Sequence, residues 1–97
     1  MSDNQTVWTI LWKRAAAGSV QGTPFEISEV VPSVTKALSI SEDKAKHLIS
    51  GLLTELGRLP EGDRFFTREG NAVVPLPEFT VAHGGTGSAL EAYPYEL

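Results

Sequence analysis

The sequence predicts an α+β domain built from three amphipathic helices, one short strand and a β-hairpin. Three observations carry that prediction. Apolar residues recur at helical intervals in three separate stretches, Phe25-Glu26-Ile27 alternates as a strand does, and Glu69-Gly70-Asn71 divides two β-prone runs.

In the first stretch, Gln5 to Ala17, Val7, Trp8, Ile10, Leu11, Trp12 and Ala15 follow one another at three- and four-residue spacing, and Gly18 supplies a stop. The apolar arc is wide, roughly half the circumference at about 100° per residue. One flank is therefore left for the C-terminal tail or a second subunit to cover. The glycines and Pro24 of GSVQGTP make a connection into the short strand, after which Ser28 reads as the N-cap of a second helix over EVVPSVTKAL. Its apolar side is Val30, Val31, Val34 and Leu38. Pro32 has no N–H to give a helix interior, so it is expected in the first turn, with a start at Val31 or Pro32 as the other option.

Ser41 is the expected N-cap of the third helix, since Glu42 and Asp43 follow it where the helix dipole favours acids. Ala45, Leu48, Ile49, Leu52, Leu53 and Leu56 form the core stripe, and Gly57 with Pro60 ends the run. Beyond the loop RLPEGD, RFFTREGNAVVPLP reads as a hairpin turning at Glu69-Gly70-Asn71, with a basic tip. Residues 1–4 are expected to be disordered, residues 5–78 to form the domain, and residues 79–97 to be a flexible, glycine-rich acidic tail.

Composition narrows the function classes. Ninety-seven residues suit one core, and the absence of cysteine excludes disulfides and thiolate zinc sites. No apolar run approaches the roughly 20 residues that cross a bilayer, and MSDNQTV lacks a basic signal-peptide start, so a cytoplasmic protein without membrane association is expected. Net charge is −4, but every Lys and Arg precedes residue 69 and only acids follow Pro75. The body is thus close to neutral and the tail acidic.

The order helix, strand, helix, tight turn, helix, hairpin resembles the winged helix-turn-helix family from about residue 5 to residue 77. Leu38 and Ile40 are the apolar residues flanking the turn, Ala45 is the small residue where the helices cross, and Ser39 stands where the family often has glycine. The resemblance implies a three-helix core with a short strand and a C-terminal hairpin wing, and double-stranded DNA as partner. It also implies that the third helix enters the major groove.

On a helical wheel of Ser41 to Leu56, the side away from the leucines carries Asp43, Lys44, Lys46, His47, Ser50, Gly51 and Thr54. Lys44, Lys46, His47, Ser50 and Thr54 are the candidate contacts to bases or phosphates, against the bland alternative of an ordinary solvated face. Gly51 costs roughly 1 kcal/mol within a helix, which either a close approach to DNA or close packing against the hairpin would explain. Arg64 and Arg68, two positions either side of Phe66, are expected on one strand face of the wing, to hold phosphate or to discourage edge pairing. With Lys36 these residues suggest about 3 to 5 phosphate contacts and a log-log salt slope of roughly −3 to −4. A transcription regulator of this kind would bind as a homodimer, for which the first helix, with Trp8 and Trp12, is the expected contact, although large aromatics there more often fill the core.

No enzyme, cofactor or metal is expected. His47 and His83 have no serine, cysteine or carboxylate at motif spacing, HGGTGS lacks the lysine of a phosphate-binding loop, and Glu61 with Asp63 are only two nearby acids. The alternative function is a winged-helix module that binds protein instead of DNA through its first helix or hairpin, which the acidic net charge favours.

Overall fold

Elements follow in the order α1 (Asp3–Ala16), β1 (Phe25–Glu26), α2 (Ile27–Leu38), α3 (Glu42–Leu56), β2 (Phe66–Glu69) and β3 (Ala72–Pro75) in a computed structural model. The structure describes residues 2–17, 22–60, 64–77, 79 and 93. Among them the chain is a small α+β fold of three helices and a three-stranded antiparallel sheet, ordered β1-β3-β2. None of the described helices is long and apolar enough to cross a membrane.

Helix α1 begins earlier than its apolar periodicity suggests, because Ser2 and Gln5 form a reciprocal capping box. The Ser2 hydroxyl accepts from Gln5 N–H at 3.2 Å, and the Gln5 side chain accepts from Ser2 N–H at 2.7 Å. Asp3 and Asn4 are therefore helical, which corrects the disorder expected for residues 1–4, Met1 lying outside the described residues.

The second helix starts at Ile27, with Glu26 rather than Ser28 as its N-cap. Two bonds set that start. Ile27 N–H donates to Asn71 O at 2.8 Å, and the Glu29 carboxylate accepts from Glu26 N–H at 2.7 Å. Pro32 consequently lies inside α2, beyond the first turn expected for it. It deprives the Ser28 carbonyl of its i+4 donor, but Ser28 and Pro32 are both exposed and water can take the vacant bond.

The turn between α2 and α3 closes through Ser39, which adopts a left-handed conformation, φ 55° and ψ 50°. Thr35 O accepts from Ser39 N–H and from Ile40 N–H, the latter at 3.3 Å, so the last carbonyls of α2 are partly satisfied within the turn. Ser41 then caps α3, its hydroxyl accepting from Lys44 N–H at 3.2 Å. Fully buried Ala45 fits the crossing of the two helices, because a larger side chain would force them apart.

The hairpin turns in two residues, Gly70 and Asn71, between the paired Glu69 and Ala72. Only Gly70 takes a positive φ, 60°, the pattern of a type II′ turn. On its other edge β3 pairs with β1, Phe25 opposite Val73, so the hairpin is tied to the start of α2.

The core joins α1 to the hairpin through aromatic rings. Trp8 is fully buried, with ring centroids 5.6 Å from Phe65, 5.4 Å from Phe66 and 5.9 Å from Tyr93, and Trp12 is 4.7 Å from Phe79. The homodimer contact expected at Trp8 and Trp12 is thereby corrected: rings packed inside a core offer no surface to a second copy. Phe79 is fully buried too, so the core reaches past the boundary expected at residue 78. Apart from Phe79 and Tyr93, the expected tail 79–97 lies outside the described residues. Gly22, φ +79°, accommodates this packing, since a Cβ there would stand 2.8 Å from Pro75 Cβ and 2.9 Å from the Phe79 ring.

Candidate functional site

Helix α3 divides lengthwise. Ala45, Ile49, Leu52, Leu53 and Leu56 are buried, whereas Lys44, Lys46, His47, Gly51 and Thr54 are exposed and Ser50 is half-buried. Lys46, Ser50 and Thr54 are spaced one turn apart, which sets them in a row along the polar side.

Arg68 brings the hairpin to that row. Its Nε donates to Gly70 O at 2.7 Å, which folds the side chain back along the turn, and a terminal nitrogen donates to Ser50 Oγ at 3.3 Å. Between the two elements and the start of α2 lies a cavity of about 300 Å³, lined by Glu26, Ile27, Ser28, Lys46, Ser50, Arg68 and Asn71. Helix, strand and turn thus converge on one polar hollow.

Other residues singled out from the sequence fare differently. Lys36, exposed in the last turn of α2, does not line the hollow. The Thr54 hydroxyl donates to Ser50 O at 2.9 Å, so its proton is committed within the helix and only its lone pairs face outward. Gly51 looks into open space, with nothing within 4 Å of an added Cβ, which removes crowding against the hairpin as the reason for a glycine there. Arg64 departs from expectation most. Its Nε donates to Leu59 O at 2.6 Å, and it precedes β2 instead of sharing a strand face with Arg68. The cause is Phe65, whose φ of 52° breaks the extended run between them.

Intramolecular pairing sorts the cations. Arg14 bonds Glu29 at 2.8 Å and stands over the Phe25 ring, 5.5 Å from its centroid, while Arg58 pairs with Glu55 at 3.0 Å. With Arg64 on Leu59 O, these arginines serve the fold. Lys44 and Lys46 enter no ion pair among the described residues. The Glu29 carboxyl is held below its ordinary value of 4.5, first by the hydrogen bond from Arg14 and next by the one from Glu26 N–H, burial opposing them weakly. Acids also border the polar side: Glu42 and Asp43 in the first turn of α3, Glu69 at the end of β2 and Glu26 in the cavity wall.

Glu26, Ser28 and Asn71 enter the hollow without having been singled out as site residues. Their only sequence signal was their place at a helix start and a turn. His83, Glu61 and Asp63 lie outside the described residues. Compared with known protein families, curated proteins and solved structures, the chain matches none.

Proposed function

We propose that the chain is a small DNA-binding domain of the winged helix-turn-helix kind, acting in transcription regulation, with α3 in the major groove and the β2–β3 hairpin as wing on the backbone. The observation that carries this reading is the Arg68–Ser50 hydrogen bond, which makes the free side of α3 and the hairpin one continuous surface. Lys44, Lys46 and Arg68 supply its positive charge, and His47, Ser50 and Thr54 its hydrogen-bonding groups. Gly51 adds bare backbone amid them, where a duplex can approach a helix closely. Since Arg64 is withdrawn and Lys36 stands apart, about three phosphate contacts remain, for a log-log salt slope of roughly −3.

Titration of mixed-sequence duplex DNA at low and moderate salt tests the proposal. Salt-sensitive binding is expected, with replacement of Lys46 and Arg68 by glutamate flattening the slope by about two. Lack of salt-dependent binding, or indifference to both substitutions, overturns it.

A second reading is a module of the same fold that binds protein. It is favoured by the net charge of −4 and by Asp43 and Glu69 at the edges of the surface, which dilute its positive field. A stoichiometric protein complex broken by substitutions at Lys44 and His47, in a chain that ignores DNA, would select it.

A further inference from the structure

We infer that the hollow between α3, the hairpin turn and the start of α2 is a binding site for a small oxyanion, a phosphate ester or carboxylate that also carries a hydrogen-bond donor. Lys46 and Arg68 reach it from a helix and from a strand, and the Ser50 hydroxyl stands between them. Arg68 is already oriented: bonds to Gly70 O and Ser50 Oγ fix its guanidinium plane and leave other N–H groups of the fork unspent. Lys46 is exposed and enters no ion pair among the described residues.

Two cations against the single carboxylate of Glu26 leave the wall with a net positive charge. The Glu26 carboxylate is an acceptor, so it suits a ligand bearing a hydroxyl or amino group beside its anionic end and disfavours one that is anionic throughout, while the Asn71 amide can donate or accept. A volume of about 300 Å³ stands at the lower end of the range for small-molecule pockets and limits the ligand to roughly nucleoside-monophosphate size. An occupant would engage Lys46 and Arg68 and so withhold them from DNA. That consequence rests on the proposed function; the binding itself does not.

The test uses the full chain and three probes, AMP, inorganic phosphate and glutamate, followed by amide chemical shifts in the absence of DNA. Saturable shifts centred on Lys46, Ser50, Arg68 and Asn71 are expected with AMP or glutamate, inorganic phosphate binding more weakly because it has no organic part to fill the rest of the hollow. Lys46 makes no side-chain hydrogen bond or ion pair among the described residues, so Lys46→Gln should keep the melting temperature and weaken binding about tenfold, as loss of one charge-assisted hydrogen bond does. Shifts that follow ionic strength at every exposed lysine, absence of saturation with all three probes, or equal binding by Lys46→Gln overturns the inference. A DNA titration without probe is read separately: its failure would remove the competition and the proposed function, and the anion site would stand.

Discussion

The two sides of α3 are made by one stretch of chain, yet they answer to different constraints. The inner side, Ala45, Ile49, Leu52, Leu53 and Leu56, is buried where α3 packs on α1, α2 and β2, so its side chains are closely held by their neighbours. On the outer side Lys44, Lys46, His47, Gly51 and Thr54 are exposed, and among the described residues the hydrogen bond that joins this side to another element is Arg68 to Ser50. Stability is therefore decided on one face. The other contributes little to it, and substitutions there should separate cleanly from folding.

Ile49→Ala is the severest trial of this division. Removing a fully buried side chain from the core should cost about 2–5 kcal/mol, a large part of the roughly 5–15 kcal/mol that holds a domain together. Chemical denaturation measures it, and a loss below about 1 kcal/mol would mean that the inner face is loosely packed.

Gly51→Ala probes the opposite face and should act with opposite sign. An added methyl meets open space, so the helix should gain about 1 kcal/mol in propensity while duplex affinity falls. A variant that is more stable and binds equally well would show that the glycine has no part in binding.

Ser39→Gly concerns the hinge between these faces and the rest of the pair. Left-handed serine costs about 1–2 kcal/mol, and glycine returns part of the relief as entropy of the unfolded chain, so a net gain of roughly 0.5–1 kcal/mol is expected by thermal melting.

The smallest effect belongs to Glu29, which pairs with Arg14 of α1 and does not line the hollow. Its folded-state pKa is depressed, so its contribution is present above the ordinary value of 4.5 and is lost as pH falls through the lower folded value. An acid titration of stability should show Glu29→Gln losing a shallow pH dependence below about pH 4.5, with no difference from the parent once the carboxyl is protonated. Because the pair is exposed, the difference at neutral pH should be slight.

Much of the fold was legible because local chemistry and tertiary packing agree there. Ser41 caps α3 in both, the leucine stripe is the buried side apart from half-buried Leu48, and Gly70 turns the hairpin through a conformation that side chains resist. Reading failed where a distant partner outweighed a local rule. Proline's exclusion from helix interiors argued for a late start to α2, but the bond from Ile27 to Asn71, far along the chain, draws the start back to residue 27. Similarly, the two-residue spacing of Arg64, Phe66 and Arg68 implied a shared face only while the strand was assumed continuous through Phe65.

By itself, then, the sequence determined the α+β class, the third helix with its two faces, and which residues of that helix meet solvent. These follow from periodicity and capping, which act within a few residues. Tertiary structure alone decided that Trp8 and Trp12 are covered by Phe65, Phe66, Phe79 and Tyr93, that Arg64 turns to Leu59 O, and that Lys46, Ser50 and Arg68 enclose a common hollow. Contacts between residues far apart in the chain depend on how whole elements dock, and no local pattern encodes that geometry.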